Sequence, residues 1–195
     1  MPPSYPVSFS VDYPERELNR VSTFFRIFAV IPIAILLALM PGGGAAAGSV
    51  IFVPIMLMLL VKKKYPRWWY DWNLELLRFG NRIGAYVLLM DDEYPSTDER
   101  QAVHLDFPYP DAERLSRGLP LVKWLLAIPH YIVLFFLDIG VFFAVIGAWF
   151  AILFTGRYPR GIFEFVEGTL RWHNRVFGYA FSLVTDEYPP FQLSA

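Results

Sequence analysis

The sequence predicts a membrane α-helical fold with a small β component, organised as two tandem repeats. Three observations predict it. The order of elements is written twice, over 5–95 and again over 101–189. Each copy holds an uncharged stretch too long for one bilayer crossing, which needs about 20 apolar residues. Charge is confined to the segments between those stretches, although the net charge is only -1 and hydrophobic residues make up 55% of the chain. Such an apolar share exceeds ordinary soluble composition and points to lipid contact.

Each copy opens with period-two alternation, Val7-Ser8-Phe9-Ser10-Val11 and Val103-His104-Leu105-Asp106-Phe107, which predicts a half-buried strand. Both strands run into a Tyr-Pro turn, at Tyr13-Pro14 and Tyr109-Pro110. Seven Tyr-Pro dipeptides mark element boundaries along the chain, with Pro fixing the turn and the ring packing beside it.

The uncharged stretches come next. Ile27–Val61 carries no Lys, Arg, Asp or Glu, and Trp124–Gly156 carries only Asp138. Turn chemistry at the middle of each, Pro41-Gly42-Gly43-Gly44 and Asp138-Ile139-Gly140, predicts two helical hairpins over about 24–61 and 119–155. The four expected transmembrane helices are Phe24–Met40, Ser49–Val61, Leu119–Leu137 and Val141–Thr155, of which Ser49–Val61 is short enough for its hairpin to dip in without crossing. Pro32 and Pro129 sit at matching depth and suggest a repeated kink. Arg26 and Lys123 are expected to snorkel toward headgroups.

After the hairpins, Tyr65-Pro66 and Tyr158-Pro159 start amphipathic helices, expected over about 66–83 and 159–175 at the membrane interface. A second strand is expected in each copy, Tyr86–Met90 and Tyr179–Val184, so that four strands could pair into one sheet. Asp92-Glu93-Tyr94-Pro95 and Asp186-Glu187-Tyr188-Pro189 close the copies. The domain boundaries read 1–95 for the first repeat, 96–102 for a polar linker and 103–195 for the second repeat.

The motif Phe154-Thr155-Gly156-Arg157-Tyr158-Pro159, followed by Arg171-Trp172 and Tyr188-Pro189-Pro190-Phe191, resembles the uncharacterised bacterial membrane proteins grouped as domain-of-unknown-function family forty-three eighty-nine. The chain looks like a tandem version of that family over nearly its whole length. The first half departs where Lys62-Lys63-Lys64 replaces Thr-Gly-Arg. The resemblance implies a membrane address and no activity.

Candidate chemistry is sparse. The most specific repeated polar signal is Arg78-x-x-Asn81-Arg82 with Arg171-x-x-Asn174-Arg175, which could grip lipid phosphates or an acidic partner. Its structural reading is Arg pairing with Asp92, Glu93, Asp186 or Glu187, plus Asn ending a helix. Lys62-Lys63-Lys64 is a small polybasic patch beside a span, read mainly as fixing orientation and as a contact for anionic lipid. His130 is the candidate intramembrane polar site, with a neutral imidazole bonded to a carbonyl freed by Pro129 as the structural reading.

There are no cysteines, His104 and His173 lack ligand spacing, and no catalytic triad order, phosphate-cradling loop or dinucleotide fingerprint is present. No catalytic residue, cofactor, metal or nucleic-acid partner is therefore expected. Placing every Lys and Arg on one side or at span entrances predicts an inner (plasma) membrane protein with both termini and the central segment cytoplasmic. The expected function is a non-enzymatic structural or accessory subunit or scaffold of a membrane assembly. Its expected partners are the bilayer and other membrane subunits or copies of itself. The alternative is a small channel or a lipid or small-molecule transport protein formed at the repeat or oligomer interface.

Overall fold

The computed structural model describes residues 5–39, 47–97, 99 and 101–194. Its elements in chain order are β1 (Ser8–Val11), α1 (Arg20–Leu39), α2 (Ala47–Lys62), α3 (Arg67–Val87), β2 (Val103–Asp106), α4 (Lys123–Leu126), α5 (Ile128–Thr155) and α6 (Arg160–Ala180), with a 3-10 turn at Leu119–Leu121 before α4. They stack in three layers. The apolar helices α1 and α5 pack on each other and on α3 and α6 respectively, and the ribbon β1–β2 packs on the far side of α3 and α6.

The first strands form where alternation predicts them. β1 and β2 pair antiparallel with Phe9 opposite Leu105 and Val11 opposite Val103. The inward residues Val7, Phe9, Val11, Val103, Leu105 and Phe107 are all buried in the main core. The amphipathic helices also form, each preceded by an extended proline, Pro66 (φ -66°) and Pro159 (φ -63°). Both run a turn further than the sequence suggests.

The second strands are absent among the described residues, so the sheet has two strands and not four. Tyr86–Val87 and Tyr179–Ala180 finish α3 and α6, and left-handed Leu89 (φ 66°) and Leu183 (φ 54°) then reverse the chain. The N–H of Met90 bonds the carbonyl of Ala85 at 2.9 Å, and that of Val184 bonds Gly178 at 3.0 Å, closing each helix end. The apolar run that imitates a strand is a buried helix cap: Leu89, Met90, Leu183 and Val184 all lie in the core.

The second hairpin is also absent. α5 runs unbroken for 28 residues through Asp138-Ile139-Gly140. Asp138 is held at 2.8 Å by His173 of α6, and Gly140 leaves room for the Phe165 ring, which a Cβ there would meet at 3.2 Å. These residues serve helix packing instead of a turn. The first expected turn, Pro41–Gly44, lies outside the described residues. Pro32 lies inside α1, whereas Pro129 occupies the first turn of α5, where its missing N–H leaves no bond unmade.

Among the described residues one helix, Ile128–Thr155, is long and apolar enough to cross a membrane, in place of the four expected. Only 17% of its most apolar window is buried, unlike the core helix of a soluble protein.

Candidate functional site at the seam between the halves

The two halves interlock, and the repeated polar residues are what fastens them. On α3, Arg78 Nε donates to the carbonyl of Leu105 at 2.9 Å. On α6, Arg171 Nε donates to the carbonyl of Phe9 at 2.8 Å. Phe9 and Leu105 face each other in the ribbon, so the helix of each half grips the strand of the other. The other guanidinium nitrogens of Arg78 bind carboxylates, Glu75 at 2.6 Å and Asp106 at 3.3 Å, whereas those of Arg171 divide between Glu167 at 2.7 Å and the carbonyl of Leu193 at 2.9 Å.

One turn further, Asn81 and Asn174 exchange amide hydrogen bonds of 2.9 and 2.7 Å. Each also donates to the carbonyl four residues back, Leu77 and Leu170. Arg82 then donates to the carbonyl of Ser96, and Arg175 to those of Gln192 and Ser194, tying down the chain that leaves each copy. None of the four arginines pairs with the Asp-Glu-Tyr-Pro acids. The partners expected for the arginines are thus replaced largely by backbone carbonyls, and Asn81 and Asn174 lie inside α3 and α6 and do not end them.

Those acids serve the first helices instead. Arg26 is buried and donates to the carbonyls of Tyr86 and Asp91, with its guanidinium 4.4 Å above the Tyr86 ring. Lys123 is equally buried, 2.6 Å from the Thr185 carbonyl and 2.6 Å from Asp186. Neither snorkels. Asp92 and Asp186 each accept from a backbone N–H of the segment leading into the apolar helices, Asn19 at 2.9 Å and Ser116 at 2.7 Å. Arg16 completes the first site by pairing with Asp91 and Asp92. Burial pushes the Asp92 carboxyl upward, but the Asn19 N–H and the Arg16 guanidinium outweigh it and hold the group below the usual carboxylate range.

Tyrosines cross the seam too. Tyr13 Oη donates to the carbonyl of Tyr158, and Tyr109 Oη to that of Tyr65, each at 2.5 Å. Arg160 lies over the Tyr13 ring at 4.7 Å and Arg67 over Tyr109 at 4.8 Å. Sequence reasoning saw these Tyr-Pro pairs as boundaries. Their recurrence at equivalent places in both copies was the available signal for mutual bracing.

His130 is buried, accepts from Trp172 Nε1 at Nδ1 (3.0 Å) and stacks on Phe191 at 4.0 Å. Its partner is thus a side chain of α6 and not a carbonyl freed by Pro129. Among the lysines, Lys63 donates to the carbonyl of Glu113 at 2.9 Å. Lys62 and Lys64, with Arg67, Trp68, Tyr65 and Tyr109, line an open cleft of about 850 Å³. Lys63 is left-handed (φ 47°) at the position that Gly156 (φ 75°) fills in the second copy. Among the described residues, no three His, Asp or Glu side chains converge as a metal site.

The fold therefore defines a mostly helical protein of two interlocked tandem repeats. A family model for a domain of unknown function (DUF4389) matches twice, over residues 20–97 and 120–192, and the chain belongs to that family in a tandem-repeat version. No curated protein and no solved structure matches it.

Proposed function

We propose that this is a non-enzymatic membrane protein that serves as a structural or accessory subunit, or scaffold, of a membrane assembly. The observation that carries the proposal is the division of labour between side chains. The repeated polar residues are spent on holding the two halves together, as the Arg78–Leu105 and Arg171–Phe9 bonds illustrate. Meanwhile α1 and α5 present bare faces of large apolar residues, including Phe24, Phe28, Phe136 and Phe143. Contiguous apolar surface on this scale is a mark of contact with membrane or protein.

The charge distribution supports an inner (plasma) membrane address with the termini, the linker and the α3/α6 layer on the cytoplasmic side. A passage for ions or small molecules would need a polar lining between the halves. The residues that could supply it, Asn81 and Asn174, are bonded to each other.

The test is purification from native membranes in a mild detergent, followed by mass measurement. A stable assembly larger than the 22.5 kDa chain is expected. A lone chain recovered at every detergent concentration, or one released from membranes by alkaline carbonate, would overturn the proposal.

A further inference from the structure

The long apolar helix is exposed on one side only. Its bare residues Ile132, Phe136, Ile139, Phe143, Phe150 and Phe154 recur at helical spacing along a single stripe. The opposite stripe, with His130, Leu134, Val141, Ala148 and Ile152, is buried. Its chief cover is α6, a helix bearing Glu164, Glu167, Arg171, His173 and Arg175, with α1 packed beside it.

The contact is long. His130 bonds Trp172, Asp138 bonds His173, Gly140 meets Phe165 and Gly147 meets Ile162. From residue 130 to residue 147, α5 rises about 26 Å, close to the roughly 30 Å thickness of a bilayer's hydrocarbon core. Were α5 upright across that core, α6 would be carried through it with its charges. The half-exposed Asp138–His173 pair would lie near the bilayer centre, where ionised groups are costly.

The first half repeats this plan. α1 lies along α3, with Arg26 on the Tyr86 carbonyl and Ile33 against Phe79 and Ile83, while Phe24, Phe28, Ile31 and Ile35 face outward. Both apolar helices thus ride on charged helices, on the side opposite the ribbon.

We propose that the α1/α5 face docks into one leaflet of the membrane with α5 parallel to the bilayer plane, so that the chain is inserted from one side without crossing. This inference rests on the membrane assignment above and specifies its geometry. The occupant of the face is phospholipid. Lys62, Lys64 and Arg67 at the end of α2, and Arg157 and Arg160 just past α5, place cations where the apolar helices end. Exposed Trp68 lines the same cleft as Lys62, Lys64 and Arg67. Cations and Trp bordering an apolar face match anionic headgroups over acyl chains.

The chain has no cysteine, so single-site labelling is clean. Ile132→Cys, Phe136→Cys, Phe143→Cys, Phe150→Cys and Phe154→Cys all alter exposed positions. Each full-length variant is spin-labelled and reconstituted in vesicles of zwitterionic and anionic phospholipid. Immersion depth is then read from the ratio of oxygen to nickel-chelate accessibility.

In-plane docking predicts five depths agreeing within about 5 Å, all within about 5–10 Å of the headgroup boundary. Depth that increases by about 15 Å from the ends to Phe143 and then decreases is the pattern of a crossing helix, and it overturns the inference alone. Labels open to the nickel chelate at every position overturn the membrane assignment as well. Labels shielded from both reagents mean that protein covers the face, and overturn the lipid occupant.

Discussion

Asn81 and Asn174 hold each other across the seam of the molecule, each amide donating to the other's oxygen, at equivalent places in the two repeats. Neither side chain can be replaced alone without leaving the other's amide short of a partner. Asn81→Leu and Asn174→Leu should each destabilise by about 1–3 kcal/mol, the cost of an unsatisfied buried polar group. The double variant should recover part of that loss, giving a coupling of about 0.5–2 kcal/mol in a double-mutant cycle. Additive effects in mixed-micelle unfolding would mean that the pair is not a working contact.

Lys63 offers the opposite opportunity. It holds a left-handed backbone (φ 47°) at the end of α2, where the second copy uses Gly156. Lys63→Gly should stabilise by about 0.5–1 kcal/mol, because relief of the left-handed strain exceeds the lost flexibility and one exposed bond to Glu113. Lys63→Ala should give no such gain, since its Cβ keeps the strain. A lower melting temperature for the glycine variant would contradict this assignment.

Lys123 is fully buried against Thr185 and Asp186. Lys123→Met should cost roughly 2–4 kcal/mol by stranding the Asp186 carboxylate. Adding Asp186→Asn to Lys123→Met should restore stability relative to Lys123→Met alone. If it lowers stability further, the two residues act independently.

Acid should loosen the first repeat at Asp92. Its carboxyl is depressed in the fold, so the stabilisation it provides is complete above the unfolded value near 3.8 and disappears as pH falls below that through the folded value. Asp92→Asn should therefore be less stable than the parent at pH 7 by about 1–3 kcal/mol, with the gap closing toward pH 2. An unchanged gap from pH 7 to pH 2 would show that Asp92 acts by shape alone.

Gly178 sits where a Cβ would meet Val7 Cγ2 at 2.8 Å and Val184 Cγ2 at 3.4 Å. Gly178→Ala should cost roughly 1–3 kcal/mol, because Val7 is a buried, branched side chain of the core with little room to give. Gly161→Ala, with nothing within 4 Å, is the control and should lie within about 0.5 kcal/mol of the parent.

Legibility followed the range of the interaction. Ser8–Val11, Val103–Asp106 and the amphipathic helices α3 and α6 were visible because alternation and helical spacing are local patterns. The Tyr86–Met90 and Tyr179–Val184 runs misled because a buried helix cap and a buried strand are both short and apolar. Left-handed Leu89 and Leu183 leave no mark in composition. Asp138-Gly140 misled because a turn and a tight helix contact favour the same small and polar residues.

The sequence alone settled the duplication and the separation of charged from apolar segments, since both are properties of order along the chain. Tertiary structure decided that α5 is continuous, that each helix grips the other half's strand, and that Arg26 and Lys123 are core residues. Those outcomes depend on partners far away: Asp138 finds His173 at a separation of 35 residues, and Arg171 finds Phe9 at a separation of 162. A local pattern shows that a side chain needs a partner, and only the folded chain shows which one it meets.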